Sequence, residues 1–158
     1  MRMVHRAGIY VPDNANFLFK DGLINGVTWS GNITGYSSYE ITDHIHVRAY
    51  IWSGVTSSDS NASVITQHLD LRGYKHIHFK YSSINYENGE APNIRVYPNY
   101  VSLEHEGEGP WTVSYDLSAL ADQSDVMLMI QSGHLAKTTT SGSIDASITV
   151  KEVWVTRN

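Results

Sequence analysis

The chain has 158 residues, enough for one domain with its own core, and 16 acidic against 11 basic residues give a net charge of −5. That balance, with Lys and Arg scattered, argues against a sequence-independent nucleic-acid binder and against a basic patch for an anionic membrane. No run of about 18 apolar residues occurs, so no membrane insertion is expected. Cys is absent, which excludes disulfides and thiol nucleophiles and leaves the redox compartment open.

Residues 1–16 read as an N-terminal arm or connector. The basic start, Met1 to Arg6, runs into Ala7-Gly8-Ile9-Tyr10-Val11-Pro12-Asp13, which is too short and polar for a signal-peptide core. Residues 17–158 read as one domain. Ten Tyr, four Trp and three Phe, with only 17% charged residues, suit pleated, half-buried surfaces.

The dominant period is two. His44 to Trp52 alternates without a break, with Ile45, Val47, Ala49 and Ile51 on one face and His44, His46, Arg48, Tyr50 and Trp52 on the other. Ser63–Leu69, Lys75–Tyr81, Asn93–Tyr97, Trp111–Asp116, Asp125–Gln131 and Ile144–Val155 are further strand candidates. In the last, Ile144, Ala146, Ile148 and Val150 alternate, then Val153 and Val155; the extra residue near Lys151-Glu152 predicts a β-bulge. Turn signals fall at Asp21-Gly22, Asn25-Gly26, Ser30–Asn32, Ser57–Asn61, Asn88-Gly89, Gly107–Pro110 and Thr138–Gly142. One helical turn is expected at Asp116–Ala121. Seven or more short strands punctuated in this way predict an all-β sandwich or barrel.

Three stretches carry a resemblance. They are Leu18-Phe19-Lys20-Asp21-Gly22 with Thr28-Trp29-Ser30-Gly31; Leu69-Asp70-Leu71-Arg72-Gly73-Tyr74-Lys75 leading into Ile77-His78-Phe79; and Trp111 to Ser118 with Val126–Ile130 and Ile148–Val155. Over about residues 17–156 the chain resembles jelly-roll domains of the galactose-binding-like, carbohydrate-binding-module type, as found in minor structural and tail proteins of phages and prophages. The resemblance implies a jelly-roll β-sandwich of two antiparallel sheets, with Trp29 and Trp111 as scaffold. It also implies recognition of a cell-envelope glycan without catalysis, at a virion or extracellular surface. A structural Ca²⁺ is the one cofactor it leaves room for. The matched positions are scaffold, so no ligand residues carry over.

Paired His-x-His motifs stand out, since alternate strand residues share a face. Were the strands bearing His44/His46 and His76/His78 paired, four imidazoles would meet as at a zinc site. A jelly-roll metal site of the cupin kind would also want a downstream Glu where Tyr50 stands. Simple solvent-facing histidines are the plainer expectation. The acidic run Glu104-His105-Glu106-Gly107-Glu108 reads as a solvated loop, or as an oxygen-rich site for a hard cation. No Gly-x-Ser-x-Gly elbow or phosphate-binding glycine loop is present.

Aromatic residues are the better ligand candidates, because sugar rings stack on flat side chains while polar neighbours read their hydroxyls. Tyr50, Trp52, Arg48, Arg95, Tyr97 and Tyr100 are therefore the expected glycan contacts. Two alternatives stand beside this reading: a structural or oligomerisation domain of a fibre or baseplate, contacting its own copies or virion proteins, and a metal-dependent or glycan-cleaving enzyme.

Overall fold

The computed structural model describes residues 3–6, 9–12, 16–22, 27–51, 58–86, 91–103, 105, 107–132, 135–137 and 144–158. Its strands are β1 (Met3–Arg6), β2 (Ile9–Pro12), β3 (Asn16–Lys20), β4 (Ser30–Thr34), β5 (Ser37–Ile41), β6 (Ile45–Ile51) and β7 (Ser58–Leu69). There follow β8 (His76–Tyr86), β9 (Asn93–Val96), β10 (Asn99–Val101), β11 (Gly107–Asp116), β12 (Val126–Gln131), β13 (Leu135–Lys137) and β14 (Ile144–Thr156). A 3₁₀ turn at Leu117–Ala119 fills the place of the expected helical turn. The Asp116 carboxylate caps it by accepting from the Ser118 amide.

The strands beyond β2 build two antiparallel sheets. In the first, β10, β9, β12 and β7 lie side by side, β4 flanks the far edge of β7, and β13 prolongs the line of β12 along β7. In the second, β11, β8 and β14 are neighbours; the other edge of β14 takes β6 along Ile144–Val150 and β3 along Glu152–Val155, and β5 closes the sheet on β6. β1 and β2 pair with each other. Successive strands repeatedly change sheet (β3 to β4, β4 to β5, β6 to β7, β7 to β8, β8 to β9, β10 to β11, β11 to β12). This is the winding of a jelly roll, and the chain is an all-β sandwich.

Alternation places the core between the sheets. Ile45, Val47, Ala49 and Ile51 of β6 are fully buried, as are Ile77 and Phe79 of β8 and Ile148, Val150, Val153 and Val155 of β14. The first sheet answers with Ala62, Val64, Ile94, Val96, Leu128 and Ile130. Trp29 closes one end of this core, its indole N–H donating to the Leu18 carbonyl at 3.2 Å and its ring edge-on to Phe19. The bulge lies where the phase change in the sequence requires it. Val150 pairs with Tyr81 and Glu152 with Lys80, so Lys151 is the extra residue that returns Val153 and Val155 to the core.

Several turn signals are strand instead. Ser30–Asn32 belongs to β4, Ser58–Asn61 to β7 and Gly107–Pro110 to β11. Each lies at an edge or strand end, where polar and glycine residues are tolerated because one side of the backbone faces no neighbour. In β11 the ladder against β8 breaks between Gly107 and Trp111, which accommodates the Gly-Glu-Gly-Pro segment. Asp21-Gly22 is a turn as expected, while Asn25-Gly26, Asn88-Gly89 and 138–142 lie outside the described residues.

Candidate functional site

The outward residues of β6 define one candidate surface. His46, Arg48 and Tyr50 stand opposite Thr149, Ser147 and Asp145 of β14. Arg48 reaches diagonally along the pleat to Asp145, with Nε to Oδ1 at 2.9 Å and Nη2 to Oδ2 at 2.8 Å. This two-point contact fixes the guanidinium plane and raises the arginine's pKa further, chiefly through the hydrogen bonds to Asp145. The guanidinium carbon also sits 4.8 Å from the centre of the Tyr50 ring.

The β4–β5 connection supplies the opposing wall. The Tyr36 amide donates to Ser60 Oγ at 2.8 Å and the Tyr36 carbonyl accepts from the Tyr50 amide at 2.9 Å. The single Ser37 hydroxyl proton is shared between the Thr34 and Asn61 carbonyls, 2.7 and 2.8 Å from Oγ. Between these walls lies an open depression of about 410 Å³, lined by Gly35, Tyr36, Ser37, Ser38, Arg48 and Tyr50. Trp52, the next outward residue in the sequence pattern, lies outside the described residues.

Arg95, Tyr97 and Tyr100 lie on the outer face of the other sheet, pointing the opposite way. The Arg95 guanidinium is held between two rings, 4.8 Å from Tyr97 and 4.4 Å from Tyr100, while Nη2 donates to the Pro98 carbonyl at 3.0 Å. Both rings stay accessible, Tyr97 at 47% and Tyr100 at 63%. In register, Tyr100, Arg95, Met129 and Ile65 form one row across four strands. The expected glycan contacts thus divide between two faces of the sandwich.

The histidine pairs do not converge. Each pair is close within itself, with ring centres 6.4 Å apart for His44/His46 and 6.0 Å for His76/His78. However, β14 runs between β6 and β8, and His46 faces Thr149 whereas His78 faces Trp154. Five residues of strand correspond to roughly 16 Å. Among the described residues no three His, Asp or Glu side chains are grouped to hold a metal ion.

Each histidine has local partners instead. His44 Nδ1 is 2.8 Å from Asp43, His46 Nδ1 is 2.8 Å from Thr149 Oγ1, and His76 Nδ1 is 2.8 Å from the Asn158 carbonyl. His78 is bonded on both sides, with Nδ1 2.6 Å from Ser114 Oγ and Nε2 2.9 Å from Thr156 Oγ1. Thr156 itself donates to the Asn158 carbonyl, so its oxygen accepts from His78 Nε2–H and the Ser114 hydroxyl donates to Nδ1. Burial, then the charge of His76, pushes the His78 pKa down to about 4; burial, then His44, lowers that of His46.

Of the acidic run, Glu104 and Glu106 lie outside the described residues. His105 stacks on Trp111 with ring centres 4.3 Å apart. Asp145, Ser37 and Ser38 are contributors that sequence reasoning did not single out. The alternation of Ile144 and Ala146 already turns Asp145 outward, but only the β6–β14 pairing shows that Arg48 is its partner.

No protein-family model matches the chain, and no curated protein matches it. Among solved structures, the K1 cleaved adhesin domain of Lys-gingipain from Porphyromonas gingivalis W83 is similar at 15% identity, over 94% of this chain and 93% of that one, with a TM-score of 0.27. At that score the overlap assigns this chain neither a partner nor a reaction.

Proposed function

We propose that this chain is a non-catalytic module that recognises cell-envelope carbohydrate, and that it works at a virion or extracellular surface as part of a phage tail or prophage structural protein. The observation that carries the carbohydrate reading is a depression of about 410 Å³ lined by Tyr50 and by Arg48, whose guanidinium is held from behind by Asp145. That volume suits one or two sugar rings, and small-ligand sites run from about 300 to 1,000 Å³. Tyrosine faces accept the C–H side of a sugar, while donors and acceptors locked in place read its hydroxyls at little entropic cost. The phage context rests on the sequence resemblance alone. An array of bacterial envelope glycans probed with a multimerised chain tests the reading, since single-site affinity is expected to be weak and repeated copies restore it. Retention of selected glycans, lost in Arg48→Ala, supports it; an array without signal contradicts it.

The second reading, an oligomerisation or fibre element, is favoured by the opposite face. Tyr, Met and Arg are the residue types that concentrate in protein interfaces, and the row Ile65–Met129–Arg95–Tyr100 with Tyr97 beside it presents them together. A stable oligomer in light scattering that dissociates in Tyr100→Glu supports this reading; a monomer at all concentrations contradicts it.

A further inference from the structure

We infer that the Arg48 depression selects neutral sugars bearing adjacent hydroxyls over acidic ones, an inference that rests on the carbohydrate reading above. Among the described residues lining the depression, Arg48 alone is charged. Among the described residues, its guanidinium is the group there that would attract a carboxylate or phosphate. Its Nε and Nη2 are already engaged by the two oxygens of Asp145, so an acidic ligand must either displace Asp145 or sit beside its negative charge. Asp145 is part of a strand paired on both sides, against Tyr50 and Tyr86, so the backbone that carries its carboxylate is fixed beside Arg48. Glu40, one step further along the same face and opposite His46, adds a second carboxylate nearby.

A neutral diol fits what is left. Nη1 of Arg48 remains to donate, and the carboxylate oxygens of Asp145 keep lone pairs to accept. A donor and an acceptor side by side, without net charge, match two neighbouring hydroxyls, each of which donates and accepts. Ser38, opposite Arg48 in register, offers a further hydroxyl at the rim.

The test measures binding of the full chain to polymers bearing mannose or galactose, and to polymers bearing glucuronate or N-acetylneuraminate, at low and at high salt. The wild type is expected to hold the neutral polymers with salt-independent affinity and the acidic ones at least about tenfold more weakly. Asp145→Asn removes the counter-charge with little change of shape, and is expected to raise affinity for the acidic polymers with a marked salt dependence. Asp145→Ser also removes the counter-charge and carries the same expectation, should Asp145→Asn not fold. Salt-sensitive binding of the acidic polymers alone by the wild type overturns this inference and leaves the carbohydrate reading standing. Failure of every polymer to bind overturns this inference, and a bacterial envelope glycan array without signal overturns the carbohydrate reading with it.

Discussion

At the scale of single residues, the outer face of the second sheet is organised by hydrogen bonds that also set charge states. Arg48 and Asp145 form an accessible pair, with side chains 45% and 22% exposed. Such pairs contribute little to stability, typically below about 1 kcal/mol. Arg48→Ala is therefore expected to leave the urea midpoint nearly unchanged while lowering glycan binding at least about tenfold, a split that separates a binding residue from a structural one. His78 predicts a pH dependence. Its pKa falls from 6.5 to about 4 on folding, so the unfolded chain binds the proton first as the solution is acidified. The stability this group supports is full above about pH 6.5 and declines as pH falls toward about 4. Urea unfolding across that interval is expected to show the decline, and His78→Gln to reduce it. The sequence displays both histidine pairs and Arg48 plainly. It hides what they touch, because Thr149, Asp145, Ser114 and Thr156 lie 36 to 103 residues away in the chain.

At the scale of elements, β14 is the spine of the second sheet, paired with β8 on one edge and with β6 and β3 on the other. Its bulge was legible because one added residue inverts which side chains face the core. Deleting Lys151 is expected to turn Val153 and Val155 outward and abolish cooperative unfolding, whereas Lys151→Ala, which keeps the count, is expected to behave as wild type. β4 and β5 were not legible. Ser-Gly-Asn-Ile-Thr and Ser-Ser-Tyr-Glu-Ile lack apolar alternation because these edge strands bury little, and their pairing is set by β7 and β6. Their crossing between sheets depends on a close approach: a Cβ on Gly31 would lie 2.3 Å from the Tyr39 ring. Gly31→Ala is expected to cost roughly 1–3 kcal/mol in denaturant unfolding, and combining it with Tyr39→Ala to recover part of that loss.

At the scale of the whole molecule, the sandwich separates two chemistries onto opposite faces. One bears an arginine neutralised by its carboxylate beside a depression; the other bears an arginine clasped between exposed tyrosines. Fold class followed from periodicity, since every long alternating run became a strand of one of the two sheets. The division of candidate residues between faces did not, because it depends on which sheet each strand joins, and strand order is not written in local pattern. A domain with a recognition face and a contact face would present the first to a surface when its copies assemble through the second. Whether the depression binds sugar is decided by glycan-array retention of the multimerised chain compared with its Arg48→Ala and Tyr50→Ala variants. The wild type is expected to be retained on a subset of bacterial envelope glycans, and both variants, still folded, are expected not to be. Absence of retention, or retention undiminished in both variants, contradicts sugar binding at the depression.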